Sequence, residues 1–168
     1  TIRPTTTGAS RVSGSRRRRG TVSAERNVGV KLGAERSGVY LAPADPAALR
    51  SAAVRASFAW MELDTGAART RDAFLAACAR DFGFPDWFGK NWDALADCLQ
   101  DLSWRPAPGR VVLWRGASGF ARAAPDEFAT ALEIFRDAAN YWKERGQLFI
   151  ALLDGQPRGT ALAPFSAP

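Results

Sequence analysis

The run FPDWFGKNWDALADCLQDL, residues 84–102, decides how this chain folds. It divides into an aromatic loop, Trp87-Phe88-Gly89, and a helix for which Asn91 is a good N-cap. Stepped at about 100° per residue, Leu95, Cys98, Leu99 and Leu102 share one stripe, with Trp92 at its edge. Asp93, Asp97 and Asp101 share the opposite face at i, i+4 and i+8. The apolar stripe requires a core to bury it. The acids do not serve folding, because like charges four residues apart repel mildly. Stacked carboxylates beside exposed rings suit a positively charged partner.

Working upstream, Thr70 is placed to cap a helix in which Phe74, Leu75, Cys78 and Phe82 repeat at helical spacing, and Gly83 to end it. In residues 58–63, Phe58, Trp60 and Glu62 alternate with Ala59, Met61 and Leu63, the pattern of a strand. Residues 38–42 read as a shorter strand. Asp45-Pro46 then opens a helix, with an acid N-cap and Pro at the first helical position, running through Leu49, Ala53 and Val54.

Downstream, residues 106–109 (PAPG) break the chain before the strand VVLW at 111–114. Gly116 and Gly119 punctuate a connection. Pro125 starts a long helix with Phe128, Leu132, Phe135, Ala139 and Trp142 on one stripe, and Gly146 ends it. Residues 147–153 form a further strand, and the Pro-rich tail beyond is expected to be loose. Strands alternating with helices predict an α/β fold with a small, mainly parallel β-sheet packed by helices. VVLW and LFIALL are continuously apolar, as strands covered on both faces should be. No Gly-rich phosphate loop follows any strand, so a nucleotide-binding reading lacks its central element.

A length of 168 residues suits one compact domain with attached chain, and an apolar fraction of 46% supplies a core. The expected divisions are a disordered Arg-rich leader at 1–36, an extra strand–helix element at 37–57, the main domain at 58–155, and the tail at 156–168. The net charge of +6 is unevenly spread. Residues 1–36 hold nine Arg or Lys and two acids, whereas residues 86–101 hold four Asp and one Lys. The domain therefore has an acidic spot, and the basic character belongs to the leader.

No stretch approaches the ~18–20 apolar residues of a membrane span, and no secretory block opens the chain, so a cytoplasmic location is expected. The chain has no His, which excludes a His-Cys metal site, a Ser-His or Cys-His pair and an imidazole base. Cys78 and Cys98 sit in apolar helical patterns and read as reduced core residues.

The run from Trp87 to Leu99, WFGKNWDALADCL, closely resembles the signature of the barstar family, small intracellular inhibitors of secreted barnase-type ribonucleases. The resemblance extends over about residues 58–154, and the order of strands and helices is similar to that fold. It implies an inhibitor that plugs the enzyme's active site with the acid helix and its loop. Carboxylates would then stand in for RNA phosphate against catalytic Arg and Lys, with Asp97 as the phosphate mimic beside Asp93. Trp87 falls where the family carries an aromatic, usually Tyr, on the active-site rim. Gly89 and Asn91 match the loop turn and helix start, and Asp137 falls where the family places a contacting Glu. Asp101 lies outside the signature and is left as a rim charge. Three departures bear on the target: Trp87 lacks the Tyr hydroxyl, Asp137 is one methylene shorter than Glu, and Lys90 adds a positive charge beside the acids.

Other readings stand beside this one. On charge alone, three Asp on one helix face are a solvated surface. Trp87 and Phe88 suit a core role anchoring the loop. Trp60, Trp104, Trp114 and Trp142 read as core or sheet-covering residues. A nucleic-acid-binding protein would act through the arginines at 16–19. An enzyme would use Asp93 and Asp97 as a carboxylate pair or as Mg²⁺ ligands, but no substrate cradle is visible. The expectation is a non-enzymatic antitoxin or immunity protein that binds a secreted ribonuclease. It needs no cofactor, metal, small-molecule substrate or membrane.

Overall fold

The computed structural model describes residues 32–166, so the arginines at 16–19 lie outside the described residues. A 3-10 turn at Ala34–Arg36 precedes strand β1 (Gly38–Leu41) and helix α1 (Ala47–Arg55). Strand β2 (Ala59–Asp64) follows, then helices α2 (Arg71–Phe82) and α3 (Trp92–Asp101). Strand β3 (Gly109–Arg115), helices α4 (Ala117–Ala123) and α5 (Pro125–Glu144), and strand β4 (Leu148–Leu153) complete the order.

The four strands form one parallel sheet in the order β1-β4-β3-β2. The two apolar runs fall on its centre: every residue of β4 is buried, as is all of β3 except Arg115. Edge strand β2 keeps its alternation, burying Met61 and Leu63 while Trp60 and Glu62 stay half-exposed. The predicted α/β architecture and mainly parallel sheet are what the chain adopts.

One sheet face presents Val112, Trp114, Phe149, Ala151 and Leu153 to the layer of α2, α3, α4 and α5. The opposite face presents Val111, Leu113, Leu148, Ile150 and Leu152 to Leu49 and Ala53 of α1, with Leu32 and Phe165 completing the cover. The strand–helix element before residue 58 thus extends the sheet. Gly38 pairs in register with Ile150, and Leu41 with Leu153.

The flanks depart from the sequence reading in two places. Residues 32–36, assigned to the leader, carry a 3-10 turn and the buried Leu32. The tail, expected to be loose, returns to the outer rim of β1 at Leu41. There Leu41 donates its N–H to the Ala163 carbonyl at 2.9 Å, and the Phe165 N–H donates to the Leu41 carbonyl at 3.0 Å. Phe165 is buried edge-on to Tyr40. These contacts are long-range, so no local pattern in residues 156–166 announces them.

Two smaller differences are local. Asp45 accepts from the Ala47 N–H at 2.9 Å, which leaves Pro46 at the N-cap instead of the first helical position. The connection after Gly116 contains α4, whose Phe120 stacks on Phe74 with ring centroids 4.8 Å apart. Gly116 is left-handed at φ 76°, and a Cβ there would stand 2.5 Å from the Gly66 nitrogen, so the approach of these two loops needs glycine.

Rim strand β2 is finished by side chains. Asp81 accepts the Asp64 N–H at 2.8 Å, and Arg80 donates to the Asp64 carbonyl at 3.2 Å. Glu62 lies between Arg50 and Arg115, at 3.6 and 3.5 Å.

Candidate functional site

Helix α3 is built as its periodicity predicts. The Asn91 side chain accepts from the Ala94 N–H at 2.7 Å, satisfying one of the free donors at the helix start. Leu102 closes the other end in the left-handed conformation at φ 47° and donates its N–H to the Cys98 carbonyl at 3.1 Å. Leu95, Cys98, Leu99 and Leu102 are fully buried. Trp92 is half-exposed and tilts against Phe74, at 5.7 Å between centroids. Helix α5 packs on α3, and the Trp142 indole N–H donates to the Leu99 carbonyl at 2.8 Å.

Asp93, Asp97 and Asp101 are all exposed on the far side, and none takes part in an ion pair among the described residues. Asp93 lies in the first turn, where the helix dipole favours a negative charge. Asp97 gains nothing comparable. Asp101 lies in a last turn without a basic residue, where the dipole disfavours it; its one partner is the Ser103 hydroxyl at 3.2 Å. The field of this face reaches inward. Burial pushes the Cys98 thiol up to about 11, and the nearby Asp101 and Asp97 carboxylates push the same way. Cys98 and Cys78 are both buried free thiols.

The loop entering α3 turns one ring in and leaves another out. Phe88 is buried against Phe84, whereas Trp87 is 63% exposed. Trp87 and Phe88, both suited to a core role, therefore part company. Gly89 is exposed, and a Cβ there would meet Asn91 and Ala94 at ordinary distances of 3.4 and 3.5 Å. The left-handed residue of the loop is Lys90, at φ 51°. The chain does not need glycine at 89 to make the turn.

Of the other tryptophans, Trp114 and Trp142 are buried. Trp60 is half-buried and donates to Glu62 at 3.0 Å. Trp104 packs at the rim of the core, edge-on to Phe84 and to Trp87.

One continuous segment thus carries Trp87, Gly89, Asn91, Asp93, Asp97 and Asp101, all exposed and in one loop–helix unit. Asp137 stands apart on α5, exposed and free of ion pairs among the described residues, one helix over in the same layer. Sequence periodicity passes over Trp104, since a ring three residues past a helix end belongs to no repeat. It also gives no role to Asp86, an exposed loop acid. Such an arrangement can present negative charge and aromatic surface to a cation. Among the described residues no three acidic or thiol side chains converge on a metal position, and no helix is long and apolar enough to cross a membrane.

The family model described as Barstar (barnase inhibitor) matches residues 58–154, more than half of the chain, from the start of β2 through β4 and including the whole loop–helix unit. No curated protein is found to be similar to the chain. With the signature residues, the parallel sheet and the exposed acid helix all inside the matched span, the chain belongs to the barstar family.

Proposed function

We propose that this protein inhibits a barnase-type ribonuclease by laying α3 and its preceding loop over the enzyme's cationic active site. The observation that carries this reading is the set of exposed acids on α3, none of them in an ion pair among the described residues and with Asp101 set against the helix dipole. Ribonucleases gather positive charge to hold phosphate and to stabilise charge that develops in the transition state. Carboxylates on a packed helix meet that charge with little ordering cost. Asp97 takes the place of phosphate, Asp93 supports it at the helix start, and Asp137 contributes from α5. Trp87 covers the rim of the enzyme's site, and Gly89 lets the partner's backbone approach without a Cβ between. The opposite fields speed encounter and make it salt-dependent. An inhibitor of a secreted nuclease acts before export, so we place it in the cytoplasm, as an antitoxin or immunity protein.

The test is titration of the full chain against a purified barnase-type ribonuclease, following RNA cleavage at low and moderate salt. Stoichiometric inhibition that weakens as salt rises is the expected result. Full enzyme activity at equimolar protein and low salt would overturn the reading.

A further inference from the structure

An exposed tryptophan ordinarily samples several rotamers, and fixing it on binding costs affinity. Trp87 is exposed, yet its ring meets that of Trp104 edge to face, with centroids 6.1 Å apart and planes at 85°. Trp104 in turn stands edge-on to Phe84 at 5.9 Å, and Phe84 contacts Phe82 at 5.6 Å and Phe88 at 4.8 Å. Phe82 and Phe88 belong to the buried core. A relay of rings therefore runs from the core to the most exposed ring beside the acid helix.

The backbone builds this contact. Leu102 turns left-handed at the end of α3, and the Arg105 N–H donates to the Leu102 carbonyl at 2.9 Å. The chain leaving α3 is thereby returned to the loop that enters it. The indole N–H of Trp104 is buried without an acceptor among the described residues. A buried orphan donor destabilises a fold, and phenylalanine would avoid it.

We infer that Trp104 is a positioning residue, holding the Trp87 ring upright so that it meets a cationic protein partner already ordered. The inference rests on the inhibitor reading above. It differs from a packing role because Trp104 acts on the partner only through Trp87.

A double-mutant cycle on the full chain, with a barnase-type ribonuclease as probe, tests this. Trp87→Ala and Trp104→Leu should each weaken inhibition about tenfold, and the double variant should be no weaker than Trp87→Ala alone. Trp104→Phe keeps an edge-on ring, so it should stay within about threefold of wild type and melt no lower, having lost the orphan donor. Additive losses in the cycle would overturn the inference.

A second measurement needs no ribonuclease. With a fluorotryptophan label, the Trp87 fluorine resonance should shift and sharpen in Trp104→Leu and hold its position in Trp104→Phe. A Trp87 resonance indifferent to Trp104→Leu would overturn the positioning role even if inhibition is intact. Failure of the wild-type chain to inhibit would instead overturn the inhibitor reading, and the resonance alone would then decide whether Trp104 orders Trp87.

Discussion

Trp142 donates its indole N–H to the carbonyl of Leu99 at 2.8 Å, across the buried seam between α5 and α3. Leu99 lies in the last turn of α3, where helix carbonyls lack partners of their own. The same indole ring carries the Arg110 guanidinium 4.0 Å from its centroid. The helix that presents the acids is therefore held by a specific bond as well as by its apolar stripe. Trp142→Phe keeps a ring in the seam but leaves the Leu99 carbonyl buried and unpaired, which should cost about 1–3 kcal/mol. Urea denaturation measures this, and a loss below about 0.5 kcal/mol would show that the bond contributes little.

The acids on α3 should separate by function. Asp97→Ala is expected to weaken the ribonuclease complex by more than about 2 kcal/mol, the hot-spot threshold that measurements on this inhibitor family helped to set. Its melting temperature should hold, because Asp97 makes no ion pair among the described residues and removing it relieves repulsion along the face. Asp101→Ala should change affinity little and lower mainly the association rate. Equal losses at both positions in stopped-flow binding would refute the assignment.

The tail should matter to stability and not to recognition. Phe165 is buried on the sheet face opposite the acid helix, against Tyr40 and beneath the Arg36 guanidinium. Phe165→Ala should cost about 3 kcal/mol, the lower end for a buried Phe because the site lies at the edge of its cluster. Inhibition at temperatures where the variant stays folded should be unchanged. A variant that melts like wild type would mean that the tail does not hold β1.

The thiols set an upper limit on pH. Cys98 titrates at about 11 in the folded chain against 9.0 for an ordinary thiol. A folded-state value above the unfolded one means that the native chain holds its proton longer. The contribution is whole below pH 9 and is lost as pH rises toward 11. Cys78, raised well above the ordinary value mainly by burial, acts in the same direction. Denaturation midpoints should therefore fall between pH 9 and 11, and the fall should shrink in Cys98→Ala. A slope that Cys98→Ala does not alter would assign the loss to other groups.

How much of this was legible follows from the range of each interaction. The stripe of α3, its Asn91 cap and its acid face are set within a dozen residues, and sequence spacing places all of them. The runs at 111–114 and 148–153 announce buried parallel strands because both of their faces are covered. Long-range cover leaves no such trace. Phe165 gives no periodic signal, and the bonds from residues 163 and 165 to Leu41 are backbone bonds available to any sequence. Helix α4 has seven residues, too few for periodicity to outweigh Gly119. Asp137 entered through the family resemblance alone, since a single acid on a long helix is ordinary surface. The Trp87–Trp104 contact joins the two sides of α3 through tertiary packing, so neither ring foretells the other.

The sheet's two rims bear on self-association. An open strand edge invites pairing by a second chain. At β1 the chain's own tail takes up one residue of that edge, Leu41, through Ala163 and Phe165. At β2 the end of that edge is guarded, with Asp81 and Arg80 bonded to the Asp64 backbone. A second molecule adding a strand would have to strip the tail from Leu41 at one rim or displace Asp81 and Arg80 from Asp64 at the other. Loss of the tail therefore does more than weaken the core: it bares the Leu41 backbone at the β1 edge, beside Val39 and Tyr40, and the first symptom of such a truncation should be aggregation.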